Sequence, residues 1–291
     1  MTCSITDLAG CMVGELRDAI LKIINLPLQP LLDAIKLLLT QPATIEPLAP
    51  IWAIIIYIIS LFYGLVLLLA GFSFIISGHS PERRERAKEW LQNAILMIAL
   101  VQGSYFFYQL ITDLASRLTT GVISLINPQF FLLTIDNLPN IGLEIVFGWL
   151  YMMTLTLTVI MLGLTYMVSS IGVIFFPLGI FLWFIPPLRD VGKFILSNIV
   201  FVIFLPFFAS LILLGASLLA STGPFAMMKV LLSILAFTTI NLWFILLVLL
   251  LVVRSVFSIL RSDIAQAFMM IKGHFAAAMA VETSHPGMRP R

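Results

Sequence analysis

Charged residues are scarce in this chain. Only 10% of its 291 residues are Asp, Glu, Lys or Arg, whereas 61% belong to the hydrophobic set; an average soluble protein is about 25% charged. Crossing a bilayer's hydrocarbon core takes about 20 apolar residues in a helix. Charge is absent from five longer stretches: 47–81, 90–112, 145–188, 194–228 and 230–253. The scarcity excludes an ordinary soluble domain and predicts an all-α, polytopic transmembrane helix bundle.

Ionisable groups are missing from the interior of every predicted span. Ion-coupled transporters and intramembrane proteases place such groups inside the bilayer, so both classes are excluded. The three histidines, His79, His274 and His285, lie outside the charge-free helical spans or at their ends. No metal cluster, phosphate loop or nucleophile motif stands out. We therefore predict that the protein is not an enzyme and uses no cofactor or metal.

Cysteine is nearly absent as well. Cys3 and Cys11 are too few for a disulfide framework. They form a disulfide if the N-terminus faces an oxidising exterior, and otherwise are two unrelated thiols. The first 20 residues lack a basic stretch followed by an apolar core, so no cleavable signal peptide is expected. The first spanning helix is then the targeting signal.

Three regions are predicted along the chain: an exterior amphipathic segment (1–49), a transmembrane helical domain (50–253), and a cytoplasmic amphipathic helix with a flexible tail (254–291). In the first, apolar residues recur at helical spacing over 13–39 but are interrupted by Pro27 and Pro30. The pattern favours two short helices on the membrane surface.

Six hydrophobic segments follow. Residues 51–76 form the first, and Gly78, Ser80 and Pro81 predict a tight turn into a second helix that continues through Ile111. A less apolar loop is expected over 113–142. The remaining four segments are 143–168, 171–188, 194–220 and 230–253.

The segment 171–188 is unusual. It is short and holds Pro177, Gly179, Pro186 and Pro187, so we expect a broken or re-entrant helix, which is tolerated where it is buried by protein or lines a cavity.

Basic residues on the cytoplasmic side set the orientation of membrane proteins. Cations cluster at 83–88 and after Val253, whereas the first 49 residues carry more acids than bases. A plasma-membrane protein with its N-terminus outside and its C-terminus in the cytoplasm is predicted, which requires an odd number of crossings. Five full crossings plus the re-entrant segment satisfy this; a seventh crossing through 118–135 is the alternative.

Arg83, Arg84, Arg86 and Lys88 form the densest charged run, beside three glutamates. This run is either a solvated helix start that fixes the topology or a cytoplasmic docking site for an ATPase or an anionic lipid head group.

Neutral polar residues in the spans also allow two interpretations. They either form interhelical hydrogen bonds or line a polar pathway. The candidates are Gln102, Gln109, Asn198 and Asn241.

Two motifs resemble the polytopic membrane subunits of type IV secretion and conjugation systems. One is the hairpin with Gly71, Gly78, Pro81, Glu82, Arg83 and Arg84, and the other is the string Pro177, Leu178, Gly179 with Pro186, Pro187, Leu188, Arg189. The composition is most similar to the archaeal DNA-import branch. The resemblance implies a separate cytoplasmic ATPase, small membrane or pilin-like subunits, an oligomer or hetero-complex in the lipid bilayer, and DNA as the transported substrate.

Charge arithmetic limits such a role. Duplex DNA presents about 18 phosphates across a 30 Å core, yet the spans offer no cation. We therefore expect a channel or channel-platform component whose path is shared with partner subunits. Two alternatives remain open: a passive channel or carrier for a small neutral or lipidic solute, and a non-conducting scaffold for a surface filament.

Overall fold

A computed structural model describes residues 8–76, 81–131, 141–185, 188–222, 225, 228–250 and 253. The described residues are helical apart from short connections, so the predicted all-α class is confirmed. Seven α-helices are present in this part of the chain: α1 Leu8–Thr40, α2 Ala49–Ile76, α3 Pro81–Gln102, α4 Ser104–Ile123, α5 Ile141–Phe184, α6 Arg189–Ala220 and α7 Lys229–Leu250. Single 3-10 turns occupy Glu46–Leu48 and Pro128–Phe131.

Helix α5 is the longest element, and it corrects the predicted break in 171–188. It runs without interruption through Pro177 and Gly179, because proline removes only one backbone hydrogen bond and a packed helix absorbs that loss. Its 44 residues make a rod of about 66 Å, roughly twice the thickness of a hydrocarbon core. The segments 143–168 and 171–188 are therefore joined in one helix as far as Phe184. Pro186 and Pro187 lie outside the described residues.

Helix α1 is also continuous, so the prediction of two short surface helices is wrong. It includes both Pro27 and Pro30. From Leu28 onward one side is buried, at Leu28, Ile35 and Leu39, and this spacing of seven and four residues is one stripe of a helix. The stripe packs against α5, α4 and α6. Tertiary contact thus holds together a helix that its two prolines weaken.

The second predicted helix is divided in two. It begins at Pro81 as expected but ends at Gln102, and α4 then continues to Ile123, where a loop was predicted from residue 113. Gly103 has φ −81° and ψ 0°, outside the helical range, and the two helices meet at a bend of 62°. The Trp52 indole donates a hydrogen bond of 3.0 Å to Ser104 Oγ directly beside this bend.

Helix α5 is the axis on which the other helices pack. Its C-terminal half contributes Val173, Phe176 and Ile180 to a buried core that it shares with α2, α3 and α4. The helix also packs against α1 and α4, and Tyr151 in its N-terminal half contacts Phe237 of α7 at 6.0 Å between ring centroids. Helix α6 is its most extensive partner. Helix α5 therefore contacts each of the other six described helices.

Where α5 turns back into α6, the two backbones nearly touch. A Cβ atom at Gly192 would lie 2.7 Å from the carbonyl oxygen of Gly179, closer than van der Waals contact allows. Small residues permit such close helix approach in membrane proteins. Gly179 therefore serves helix packing rather than a helix break.

Four of the described helices are long and apolar enough to cross a membrane: α2, α5, α6 and α7. The count becomes five if the bent pair α3 and α4 is one span. Residues 1–241 form one compact unit, and a second unit starts at Leu242; its described residues 242–250 are helical and mostly exposed. The predicted cytoplasmic helix and tail, 254–291, lie outside the described residues.

Candidate membrane-embedded site

Most buried hydroxyl groups are bonded to the helix that carries them. Thr112, Thr119 and Thr158 each donate to the carbonyl oxygen four residues earlier in the chain, at distances of 2.8 to 3.1 Å. Such back-bonding is the usual way in which a helix satisfies Ser and Thr in an apolar setting. These side chains therefore leave little hydrogen-bonding capacity for a solute.

The interhelical polar contacts gather where α1 turns into α2. Ser116 Oγ donates to the Thr40 carbonyl oxygen at 2.5 Å, and the Tyr166 hydroxyl accepts from the Thr44 backbone nitrogen at 3.0 Å. About two turns of α4 away, the Tyr108 hydroxyl donates to the Ser169 carbonyl oxygen. The first two bonds hold the α1–α2 connection against α4 and α5, and the third joins α4 to α5.

A pocket of about 30 Å³ lies within this polar region, among Thr112, Ser116, Thr119, Thr165 and Tyr166. A buried water molecule needs about 10–15 Å³ of cavity volume on the same measure. A site of this size has room for about two or three water molecules and is too small for a transported solute.

The four candidate pathway residues do not form one cluster. Gln102 and Gln109 are exposed on α3 and α4, and Asn198 is half-buried on α6. Asn241 is buried and donates a hydrogen bond of 3.1 Å to the Thr154 carbonyl oxygen of α5. Asn241 therefore makes one interhelical contact, and its role, like that of the other three residues, stays a prediction.

The basic run occupies the first turns of α3. Arg84, Arg86 and Lys88 are exposed, and the Arg84 guanidinium lies 5.9 Å from the ring centroid of Phe74 in α2, within cation–π range. Arg83 lies in the same helix, but its side chain is not described. The three described cations are available to a partner from outside the bundle.

The predicted disulfide stays a prediction. Cys3 lies outside the described residues, and the side chain of Cys11, in α1, is not described.

Sequence reasoning missed a larger cavity of about 460 Å³, within the size range of small-molecule sites. It lies between α1, α4 and α6. Its apolar lining is Leu32, Ile35, Leu39, Ile123, Ile126, Phe131 and Leu213, and its polar lining is Gln29, Asp33 and Lys36, all of α1. The spacing of the three polar residues on α1 was visible in the sequence, but their apolar counterparts come from three distant segments.

Helix α6 carries an open apolar groove on its outer side. Phe201, Phe204 and Phe208 line it together with Trp183 of α5 and Lys193. In a membrane protein such a surface is suited to lipid chains.

Comparison of the chain with protein family models, with curated proteins and with solved structures finds no match. The helical fold and the four or five apolar helices are those of a multi-pass membrane protein.

Proposed function

We propose that the protein is a platform subunit of a DNA-transfer machine of the type IV secretion kind, and that it contributes one wall to a translocation path shared with partner subunits. The resemblance of the 71–84 hairpin and the 177–189 string supports the kind of machine. The observation that carries the shared path is the placement of polar groups. Buried threonine hydroxyls of the described helices bond to the backbone of their own helix, and the described cations of α3 lie at its exposed start.

A complete pore within one chain would conflict with this distribution. A single strand of DNA presents about nine phosphates across a 30 Å core, and these need cations or water. The pocket beside the α1–α2 connection has room for about two or three water molecules. A strand must therefore pass between subunits.

The proposed orientation follows the basic residues. The start of α3 and the start of α6, with Arg189 and Lys193, face the cytoplasm, and the N-terminus faces the exterior of the plasma membrane. Cysteine-accessibility labelling at Thr2 and Met288 tests this: labelling of both ends from one side contradicts the arrangement.

Deleting the gene tests the conducting role. DNA uptake is expected to fall to background while any surface filaments still assemble, because the wall of the path is lost. Normal uptake contradicts the proposal. Loss of filaments together with uptake indicates the scaffold instead.

Replacing Arg84, Arg86 and Lys88 with Gln tests the docking of an ATPase. Co-purification of the ATPase is expected to drop about tenfold, since three exposed cations each contribute modestly to binding an acidic partner. Arg189→Gln with Lys193→Gln is the matched control. If the triple variant inserts normally and still co-purifies with the ATPase, these cations only set the topology of the protein.

The cavity between α1, α4 and α6 favours a second candidate function, a passive carrier for a small neutral or lipidic solute, because its volume suits such a molecule. Flux of neutral solutes into liposomes containing the purified protein separates the two. Flux that the empty liposomes lack supports the carrier.

A further inference from the structure

We propose that the cavity between α1, α4 and α6 binds one phospholipid with a zwitterionic, primary-amine head group. One acyl chain enters the cavity, the head-group ammonium bonds to Asp33, and the phosphate bonds to Lys36. The inference does not rest on the DNA-transfer role. It places a bound lipid in the cavity that the carrier function would use for its solute, so the two make different predictions for that cavity.

The apolar side of the cavity is formed by buried side chains. Ile35, Leu39 and Leu213 are 3%, 4% and 1% exposed, so the inner wall belongs to the core of the bundle. Helix α1 supplies one wall, α4 with Phe131 a second, and α6 a third. A site enclosed by three elements buries much more of an acyl chain than the open surface of one helix does.

The position of the cavity along the bundle suits a lipid. Leu213 lies seven residues before the end of α6 at Ala220, about 10 Å along the helix, and Ile126 lies just beyond the end of α4 at Ile123. The exposed hydroxyl residues Ser221 and Thr222 follow α6 directly. The cavity thus lies at one end of the apolar helices, where head groups meet acyl chains.

The charges on the rim identify the head group. Asp33 and Lys36 are exposed, line the cavity, and are three residues apart on α1, which places them side by side on the helix surface. A phosphate and an ammonium joined by two carbons match this pair of opposite charges. A carboxylate accepts hydrogen bonds from a primary ammonium, whereas a quaternary ammonium has no hydrogen to donate. An anionic head group without an amine leaves Asp33 unpaired.

Native mass spectrometry tests the proposal on the full-length protein in mild detergent. The probes are phosphatidylethanolamine, phosphatidylcholine and phosphatidylglycerol with identical acyl chains. The wild-type protein is expected to bind the ethanolamine lipid five to ten times more tightly than the other two, the ratio that about one charge-assisted hydrogen bond supplies at a partly exposed site. Equal affinity for all three overturns the head-group assignment.

Two rim variants separate the two contacts. Asp33→Asn is expected to abolish the preference for ethanolamine over choline, because the amide is uncharged. Lys36→Gln is expected to weaken all three lipids while keeping that preference. Both side chains are exposed, so folding is expected to be unaffected; thermal unfolding without lipid checks this. Unchanged preference in Asp33→Asn overturns the assignment.

A filling variant tests the cavity itself. Leu213→Trp is expected to reduce binding of every lipid at least fivefold by occupying the chain site, whereas Leu219→Trp, at a half-exposed position of the same helix, is expected to leave it unchanged. Full binding by Leu213→Trp overturns the location. If the wild-type protein instead forms a dimer without bound lipid, and Leu213→Trp alone dissociates it, a second copy of the chain occupies the cavity. That result would overturn the lipid assignment.

Discussion

The most apolar stretches of α2 and α6 have the same mean hydropathy, 2.7, yet they differ in how much of their surface is buried. Only 11% of the most apolar stretch of α2 is buried in the bundle, against 28% for α6. Helix α2 buries Ile56, Ile59 and Ala70, whereas eight residues are buried along α6. The eight include small ones: Gly192, Ala209, Ser210, Ala216 and Ser217.

The difference shows that hydropathy does not distinguish a lipid-facing helix from a packed one. Lipid tails are as apolar as leucine, so no hydrophobic force drives one helix against another within the membrane; close packing of small residues does. Helix α6 has the residues that allow close approach to α5. Most of the α2 surface carries large exposed side chains, such as Leu61, Leu65 and Phe72.

The largest expected effect comes from truncating the packed helix. Ile203→Ala in α6 removes a side chain that is 5% exposed and belongs to the core shared with α2 to α5. We expect the free energy of unfolding to fall by about 2–5 kcal/mol. The same truncation in α2, Ile58→Ala at 46% exposure, is expected to change it by less than about 0.5 kcal/mol. Unfolding in mixed micelles measures both, and equal losses would remove the distinction between the two helices.

The close crossing of α5 and α6 is expected to be next in sensitivity. Gly192→Ala places a methyl group 2.7 Å from the Gly179 carbonyl oxygen, and backbone atoms cannot move aside. Such overpacking costs about 1–3 kcal/mol, read as a lower melting temperature. Gly215→Ala in the same helix has open space around the added Cβ and is expected to stabilise by up to about 1 kcal/mol through helix propensity. If both variants lower the melting temperature equally, Gly192 does not lie at a close contact between α5 and α6.

A smaller effect is expected from a single polar contact. Tyr108→Phe removes the hydrogen bond to the Ser169 carbonyl oxygen in a buried site, and loss of one such bond costs about 1 kcal/mol. Tyr57→Phe, at 67% exposure on α2, is the control and is expected to be neutral. Denaturation of the two variants under one condition gives the comparison; a neutral Tyr108→Phe means that the bond is replaced by water.

Several elements were predictable from local pattern. The first span, the helix start at Pro81 and the last two charge-free helices follow from hydropathy and from proline's preference for the first helical position. The errors fall at breakers. Pro27, Pro30, Pro177 and Gly179 lie inside helices, whereas Gly103, which drew no notice, ends one.

The candidate site was less predictable. The exposed cations of α3 were recognised because charge is visible in a linear sequence. The cavity was missed because Leu39, Ile126 and Leu213 are far apart in the chain and become neighbours only when α1, α4 and α6 pack.

The sequence alone determined that this protein is a helical membrane protein. Long apolar runs without charge are local properties, and they are what the hydrocarbon core of a bilayer requires of a spanning helix. The tertiary structure alone decided which prolines are tolerated, where the α3–α4 helix bends, and which surfaces enclose a cavity. Each of these depends on side chains that a distant part of the chain brings into contact. Hydropathy depends on neighbouring residues in the sequence and does not include such contacts.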